Sequence, residues 1–340
     1  MKNISLLNQM LEERYLNCQK HPSSELYIYN YSAKAQYDRL WNEVTLGCRG
    51  LILDGEGNVI ARPFPKFFNL GEYEGQKVPK STFEVYEKMD GSLGISYVMD
   101  GKIQIATRGS FISDQSVKAN ELLKSRYYDS VAKMKMGVTY LFEIIYPENR
   151  IVVDYGDEKK LVLLAMIDIE TGLDLPLEDI GFPLVKRYDG VNDINALKLL
   201  EEENKEGFVI KYPDGYRLKV KFEEYVRLHK IITQVSSISI WEYLKTNQSM
   251  DEILEQVPDE FYNWIKEKKN EMETQYETIE QIAKSQMKLF DTRKETAAYI
   301  MTCGYPKVMF DMMDKRDYSR SIWKMLRPIY ERPFDKVEHY

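Results

Sequence analysis

Histidine and cysteine are scarce in this chain of 340 residues, with three of each. His21, His229 and His339 lie far apart, and Cys18, Cys48 and Cys303 lack the short spacings of a zinc ribbon. A nitrogen–sulfur ligand cluster is therefore excluded, and any metal would be held by oxygen, which favours magnesium or manganese. An odd cysteine count without paired spacings points to a reducing compartment. Long apolar runs are missing too. The opening Met1-Lys2-Asn3-Ile4-Ser5 leads into mixed sequence, and no stretch is long enough to span a bilayer. The expectation is a cytoplasmic protein with no membrane attachment. An excess of positive charge is also absent. The net charge of −7 disfavours a nonspecific nucleic-acid binder, but leaves room for an enzyme whose cations converge in one groove.

What is present describes a soluble globular protein, 44% hydrophobic and 30% charged, long enough for two domains. Its 25 tyrosines exceed what an ordinary core requires. Most read as half-buried strand residues, and some are available as stacking surfaces for bases.

Along the chain, Ile4 to about Lys20 shows helical spacing through Leu6, Leu7, Met10, Leu11 and Tyr15. Strand patterns then follow from Leu26 to Phe222. Asp54-Gly55-Glu56-Gly57 separates two apolar runs as a hairpin turn. Cys48-Arg49-Gly50 precedes that hairpin. Arg62-Pro63-Phe64-Pro65-Lys66-Phe67-Phe68-Asn69 follows it, a Pro-stiffened run that mixes cations with aromatics. Lys66 there is either a solvated edge residue or, with Phe68, part of a wall beside a nucleotide. A strand from Lys102 to Thr107 ends in Arg108-Gly109-Ser110, which can aim donors at a phosphate. Residues Asn120 to Met134 have helical spacing.

Glu87-Lys88-Met89-Asp90-Gly91-Ser92 holds the candidate nucleophile. Asp90-Gly91 lies between alternating runs and reads as a hairpin turn, with Lys88 at its mouth. Lysine, with a reference pKa near ~10.4, needs burial or neighbouring cations before it attacks at neutral pH. Glu143 lies in Tyr140-Leu141-Phe142-Glu143-Ile144-Ile145, where both strand faces are apolar. A carboxylate there requires a cation, a metal or hydroxyl donors. Glu206-Gly207-Phe208-Val209-Ile210 and Tyr216 to Phe222 flank the turn Pro213-Asp214-Gly215. With a period of two, Lys219 and Lys221 share a face and repel unless an anion lies between them. From Trp241 the patterns are helical: a long helix over Asp259 to Met287, then helices after Asp291-Thr292, from Pro306, and over Tyr318 to Leu326. We place a domain boundary near residue 240.

The order of these elements resembles the covalent nucleotidyltransferases, the superfamily of ATP-dependent ligases and capping enzymes. Lys88-Met89-Asp90-Gly91-Ser92 corresponds to their motif I and Phe142-Glu143 to motif III. Glu206-Gly207 corresponds to motif IV and Lys219-Val220-Lys221 to motif V. Lys66-Phe67-Phe68-Asn69-Leu70, Asn149-Arg150-Ile151-Val152 and Tyr225-Val226-Arg227-Leu228-His229 narrow the resemblance to the RNA ligase 1 family of bacteriophage tRNA-repair ligases. It covers about residues 26 to 230.

The resemblance implies an α+β fold: an antiparallel-sheet nucleotidyltransferase domain (1–240), then an all-α C-terminal domain (241–340) acting as an RNA specificity element. It implies an ATP-dependent RNA ligase that joins 5′-phosphate and 3′-hydroxyl RNA ends through a lysyl-AMP on Lys88. Lys219, Lys221, Arg49, Lys66 and Arg108 would hold phosphates. Phe68 and Glu87 would border the nucleotide, and Glu143 would meet the ribose hydroxyls or metal waters. Glu206, Asp90 and Glu143 would anchor Mg2+ or Mn2+. The partner would be RNA, including cleaved tRNA, and the protein a monomer. DNA ligases and capping enzymes share the motif order but append a β-barrel where this chain turns helical. A protein-modifying nucleotidyltransferase, or an RNA-binding module without catalysis, is the remaining alternative.

Overall fold

Alternating apolar runs dominate the first two thirds of the chain, and the computed structural model assembles them into sheets. It describes residues 3–191, 193–200, 202–223, 225–226, 229, 235–250, 254 and 261–331. The chain separates into two compact units, Met1–Ile232 and Thr233–Tyr340. Among the described residues the first unit holds three sheets and the second only helices.

The first sheet runs β1 (Leu16–Lys20), β2 (Leu26–Tyr31), β3 (Arg49–Asp54), β4 (Val59–Ala61), all antiparallel. Asp54 closes the β3–β4 turn by accepting the Glu56 and Asn58 backbone N–H groups at 2.9 and 2.8 Å. β3 is buried on both faces because it packs two ways. Leu51 and Leu53 meet helix α1 (Ile4–Glu12), while Ile52 meets Ile95 and Leu141 of the next sheet. The expected N-terminal helix stops at Glu12. Arg14 takes a left-handed φ of 62° and Leu16–Lys20 pairs with β2 instead. Tyr15 therefore belongs to the turn and not to the helical stripe.

The second sheet has the order β11-β10-β9-β7-β8 and the third β12-β6-β13-β14-β5. Their strands are β5 (Phe68–Asn69), β6 (Glu84–Lys88), β7 (Ser92–Met99), β8 (Lys102–Thr107), β9 (Val138–Ile145), β10 (Lys160–Asp168), β11 (Asp174–Leu175), β12 (Arg187–Tyr188), β13 (Gly207–Lys211) and β14 (Arg217–Lys221). Pairing is antiparallel throughout except β14–β5. The predicted helix over 120–134 is two pieces, Asp114–Ser125 and Tyr128–Val131. They cover one face of the second sheet through Ala119, Leu122 and Leu123. One face of the third sheet is a core of Val85, Phe208, Ile210, Leu218 and Val220.

The stretch between β6 and β7 departs from expectation. Asp90-Gly91 is not a hairpin turn, because β6 pairs with β12 and β13 while β7 pairs with β8 and β9. The three residues after β6, Met89 to Gly91, carry the chain from one sheet to the other. Gly91 lacks the left-handed φ a tight hairpin demands. It is required for another reason: a Cβ there would lie 2.7 Å from the Ile144 carbonyl oxygen.

In the second unit, the described helices are Ser237–Thr246, Tyr262–Gln286, Arg293–Ile300, Pro306–Met313 and Ser319–Met325. The first runs through position 240, so helical structure begins ahead of the texture change at Trp241. Asp259, the expected start of the long helix, lies outside the described residues. Thr292 caps the third helix reciprocally with Glu295, and Pro306 opens the fourth. Ile279, Ala283, Ile300, Val308, Met309 and Ile322 form the core of this unit. No described helix is long and apolar enough to cross a membrane.

Candidate active site

Register across the third sheet sets Lys88, Gly207 and Lys221 side by side on β6, β13 and β14. Paired residues share a face, so Lys88 and Lys221 lie on the face opposite the Val85–Phe208–Val220 core. Gly207 separates them with no side chain at all. Its φ is +143°, and an added Cβ would lie 2.0 Å from the Val220 carbonyl oxygen. The carboxylate of the preceding residue uses the space. Glu206 meets Lys88 Nζ at 2.6 Å through Oε2 and Lys221 Nζ at 3.4 Å through Oε1. The carboxylate is 4% exposed, so the mutual repulsion of two nearby ammonium groups is offset by an anion in a dry setting.

Glu143 on β9 lies beside the β6–β7 crossover, where a Cβ on Gly91 would come within 3.2 Å of its Cγ. It is buried, and that burial pushes its carboxyl up to about 8. The charges of Lys88 and Arg49 pull against this, while those of Glu206 and Asp90 add to it. Near neutral pH the group therefore keeps its proton and can both donate and accept a hydrogen bond.

Asp90 is committed elsewhere. Its Oδ2 accepts the Val152 and Val153 backbone N–H groups, each at 2.8 Å, and its Oδ1 accepts the Tyr225 hydroxyl at 2.8 Å. Its own N–H donates to the Tyr155 hydroxyl at 2.9 Å. Asp90 thus pins two segments, residues 152–155 and Tyr225, to the crossover. The expected metal set of Glu206, Glu143 and Asp90 does not assemble, since no group of three acid, histidine or cysteine side chains converges among the described residues. One acid bridges lysines, one is protonated, and one is saturated by donors. These residues do not fit a metal ion held by protein alone.

The cations on β14 share a second arrangement: each stands over an aromatic ring. Arg217 lies over Phe64 (4.5 Å to the centroid), Lys219 over Phe67 (5.6 Å) and Lys221 over Tyr225 (5.4 Å). Arg49 also lies over Phe67, at 5.7 Å. Lys66 is buried, not solvated, with its ammonium 5.4–5.5 Å from the rings of Tyr31, Trp41 and Phe68. Arg108 donates to the Tyr31 hydroxyl at 3.3 Å. Gly50, with φ +101°, brings β3 against Arg108 and so sets Arg49 beside it.

Glu87 is the predicted site residue that the fold sends away. It pairs with Phe208 and lies on the opposite strand face from Lys88, next to Lys186. The rings of Tyr31, Trp41, Phe67 and Tyr225 had no assigned role from sequence. Their only signal was the excess of aromatics, which does not say which rings carry cations. Arg227 and Leu228 lie outside the described residues.

Residues 47–181 match a family model described as RNA ligase. A putative RNA ligase of Thermovibrio ammonificans is 32% identical over 231 residues, covering 62% of this chain and 59% of the relative. The RNA ligase of Rhodothermus phage RM378 is 22% identical over 341 residues, covering 75% and 76%. The chain is thus similar to RNA ligases over residues 47–181. It spans about three fifths of the length of the Thermovibrio relative. Among solved structures, a Naegleria gruberi RNA ligase with AMP and Mn is 20% identical, with 44% of this chain and 52% of that chain covered at a TM-score of 0.37.

Proposed function

We propose that this chain is an ATP-dependent RNA ligase that works through a lysyl-AMP on Lys88. The observation that carries the reading is the Lys88–Glu206–Lys221 bridge, which joins a candidate nucleophile, a proton acceptor and a phosphate-binding cation. Lys88 gives a proton to Glu206, 2.6 Å away, and its nitrogen attacks the α-phosphorus of ATP. A P–N bond forms, the α–β anhydride bond breaks, and pyrophosphate leaves. A 5′-phosphate oxygen of RNA then attacks the same phosphorus, and the lysine leaves as its proton returns. Finally a 3′-hydroxyl attacks the 5′-phosphorus, seals the strand and releases AMP. Phosphoryl transfer of this kind depends on positioning and charge neutralisation. Lys219, Lys221, Arg49, Lys66 and Arg108 supply the charge. Protonated Glu143 is suited to the ribose hydroxyls. The divalent ion, Mg2+ or Mn2+, enters with the nucleotide as part of the substrate.

The finer assignments are part of the same proposal. The partner is RNA with 5′-phosphate and 3′-hydroxyl ends, with cleaved tRNA as the candidate. The unit after residue 240 is an all-α specificity domain, and the protein is a cytoplasmic monomer. The test is incubation with α-labelled ATP and magnesium, followed by 5′-phosphorylated RNA. Acid-labile label on the wild type, none on Lys88→Ala, and its transfer to RNA are the expected results. Label that persists in Lys88→Ala would overturn the assignment. Label that forms but never moves to RNA would favour a protein-modifying enzyme.

A further inference from the structure

Phe67 stands under cations from two different sheets. Arg49 comes from β3 in the first sheet and Lys219 from β14 in the third, and both lie within 6 Å of its centroid. The ring is half-buried and braced edge-on by Phe64, at 6.1 Å and 87°. Strand pairing fixes its backbone as well, because Phe68 and Asn69 pair with Leu218 and Lys219. Two like charges at one spot repel. An aromatic face attracts cations through its quadrupole and leaves their charge intact. We infer that Phe67 is a positioning residue, holding Arg49 and Lys219 together as a single receptor for the phosphates of ATP. The inference rests on the ATP-dependent reading above. Phe68, singled out from sequence, faces Lys66 instead.

The test measures binding of α,β-methylene-ATP, whose carbon bridge blocks pyrophosphate release, and of adenosine, which has no phosphates. Wild type, Phe67→Leu and Phe67→Tyr are compared by calorimetry. Phe67→Leu keeps the apolar volume and loses the quadrupole. It should weaken the nucleotide analogue about tenfold, leave adenosine within about twofold, and raise the KM for ATP in lysine labelling more than it lowers kcat. Phe67→Tyr should restore wild-type binding. Equal losses for both ligands would show a ring that only fills space, and an unchanged affinity for the analogue would show that the cations need no mount. Either result overturns the inference. If the wild type binds adenosine and the analogue equally, the phosphate site and the ATP-dependent reading fall together.

Discussion

Lys88 and Lys221 are held by the two oxygens of one buried carboxylate, at 2.6 and 3.4 Å, across a glycine that can carry no side chain. Sequence alone suggested that a phosphate would lie between the lysines of β14. Instead, an acid of the protein joins one of them to Lys88, the proposed nucleophile. This arrangement holds both cations on one nearly buried carboxylate.

Replacing Glu206 by Gln removes the proton acceptor while keeping the shape. Lysine labelling should slow by about 100-fold or more, the range of a lost general base. Glu206→Ala should in addition lower the melting temperature, because two ammonium groups then face each other without an anion. Single-turnover labelling and calorimetry read the two effects separately. Wild-type labelling in Glu206→Gln would remove the acid from the mechanism.

Gly207 tolerates no Cβ, since one would lie 2.0 Å from the Val220 carbonyl oxygen and the backbone there has φ +143°. Gly207→Ala should destabilise the protein by more than about 4 kcal/mol or prevent folding. Gly47→Ala is the control: a Cβ there meets nothing within 4 Å. It should change stability by less than about 0.5 kcal/mol. Denaturant unfolding of both variants decides the matter.

Asp90 is expected to act through structure and not through a metal. Asp90→Ala strands the Val152 and Val153 N–H groups and should cost about 3 kcal/mol. Tyr225→Phe removes one of the same hydrogen bonds and should cost about 1 kcal/mol. The magnesium concentration that half-saturates any residual labelling should stay unchanged in both. A shifted magnesium requirement with unaltered stability would return Asp90 to the metal.

Glu143 links stability to pH in a defined direction. Its folded-state value of about 8 lies above its ordinary 4.5, so the native protein keeps a proton that the unfolded chain has released. Stability should therefore fall as pH rises from about 4.5 to about 8 and level off beyond. Glu143→Gln should remove this decline. Melting curves at pH 5, 7 and 9 should show the variant gaining on the wild type at each step. A constant difference across that range would mean that Glu143 titrates normally.

The sequence by itself determined most strands of the first unit, though not Leu16–Lys20, the helical character of the second, and the motif order that carries the resemblance. These features are local: a period of two, a capping Thr292, a Pro306 opening a helix. Strand alternation also decides that Lys219 and Lys221 share a face, and could have shown that Glu87 and Lys88 do not. Only the tertiary structure decided which strand pairs with which. β6 finds β13, more than a hundred residues away, and not its neighbour β7, because the long-range apolar faces of Val85, Phe208 and Ile210 match. From that choice follows the rest. Asp90 meets backbone donors and a tyrosine hydroxyl, Glu206 joins two lysines, and the rings at 31, 41, 64, 67, 68 and 225 stand under cations. A side chain's type is local, but its partner is whatever the packed sheets bring to it, and burial then dictates which partner is tolerable.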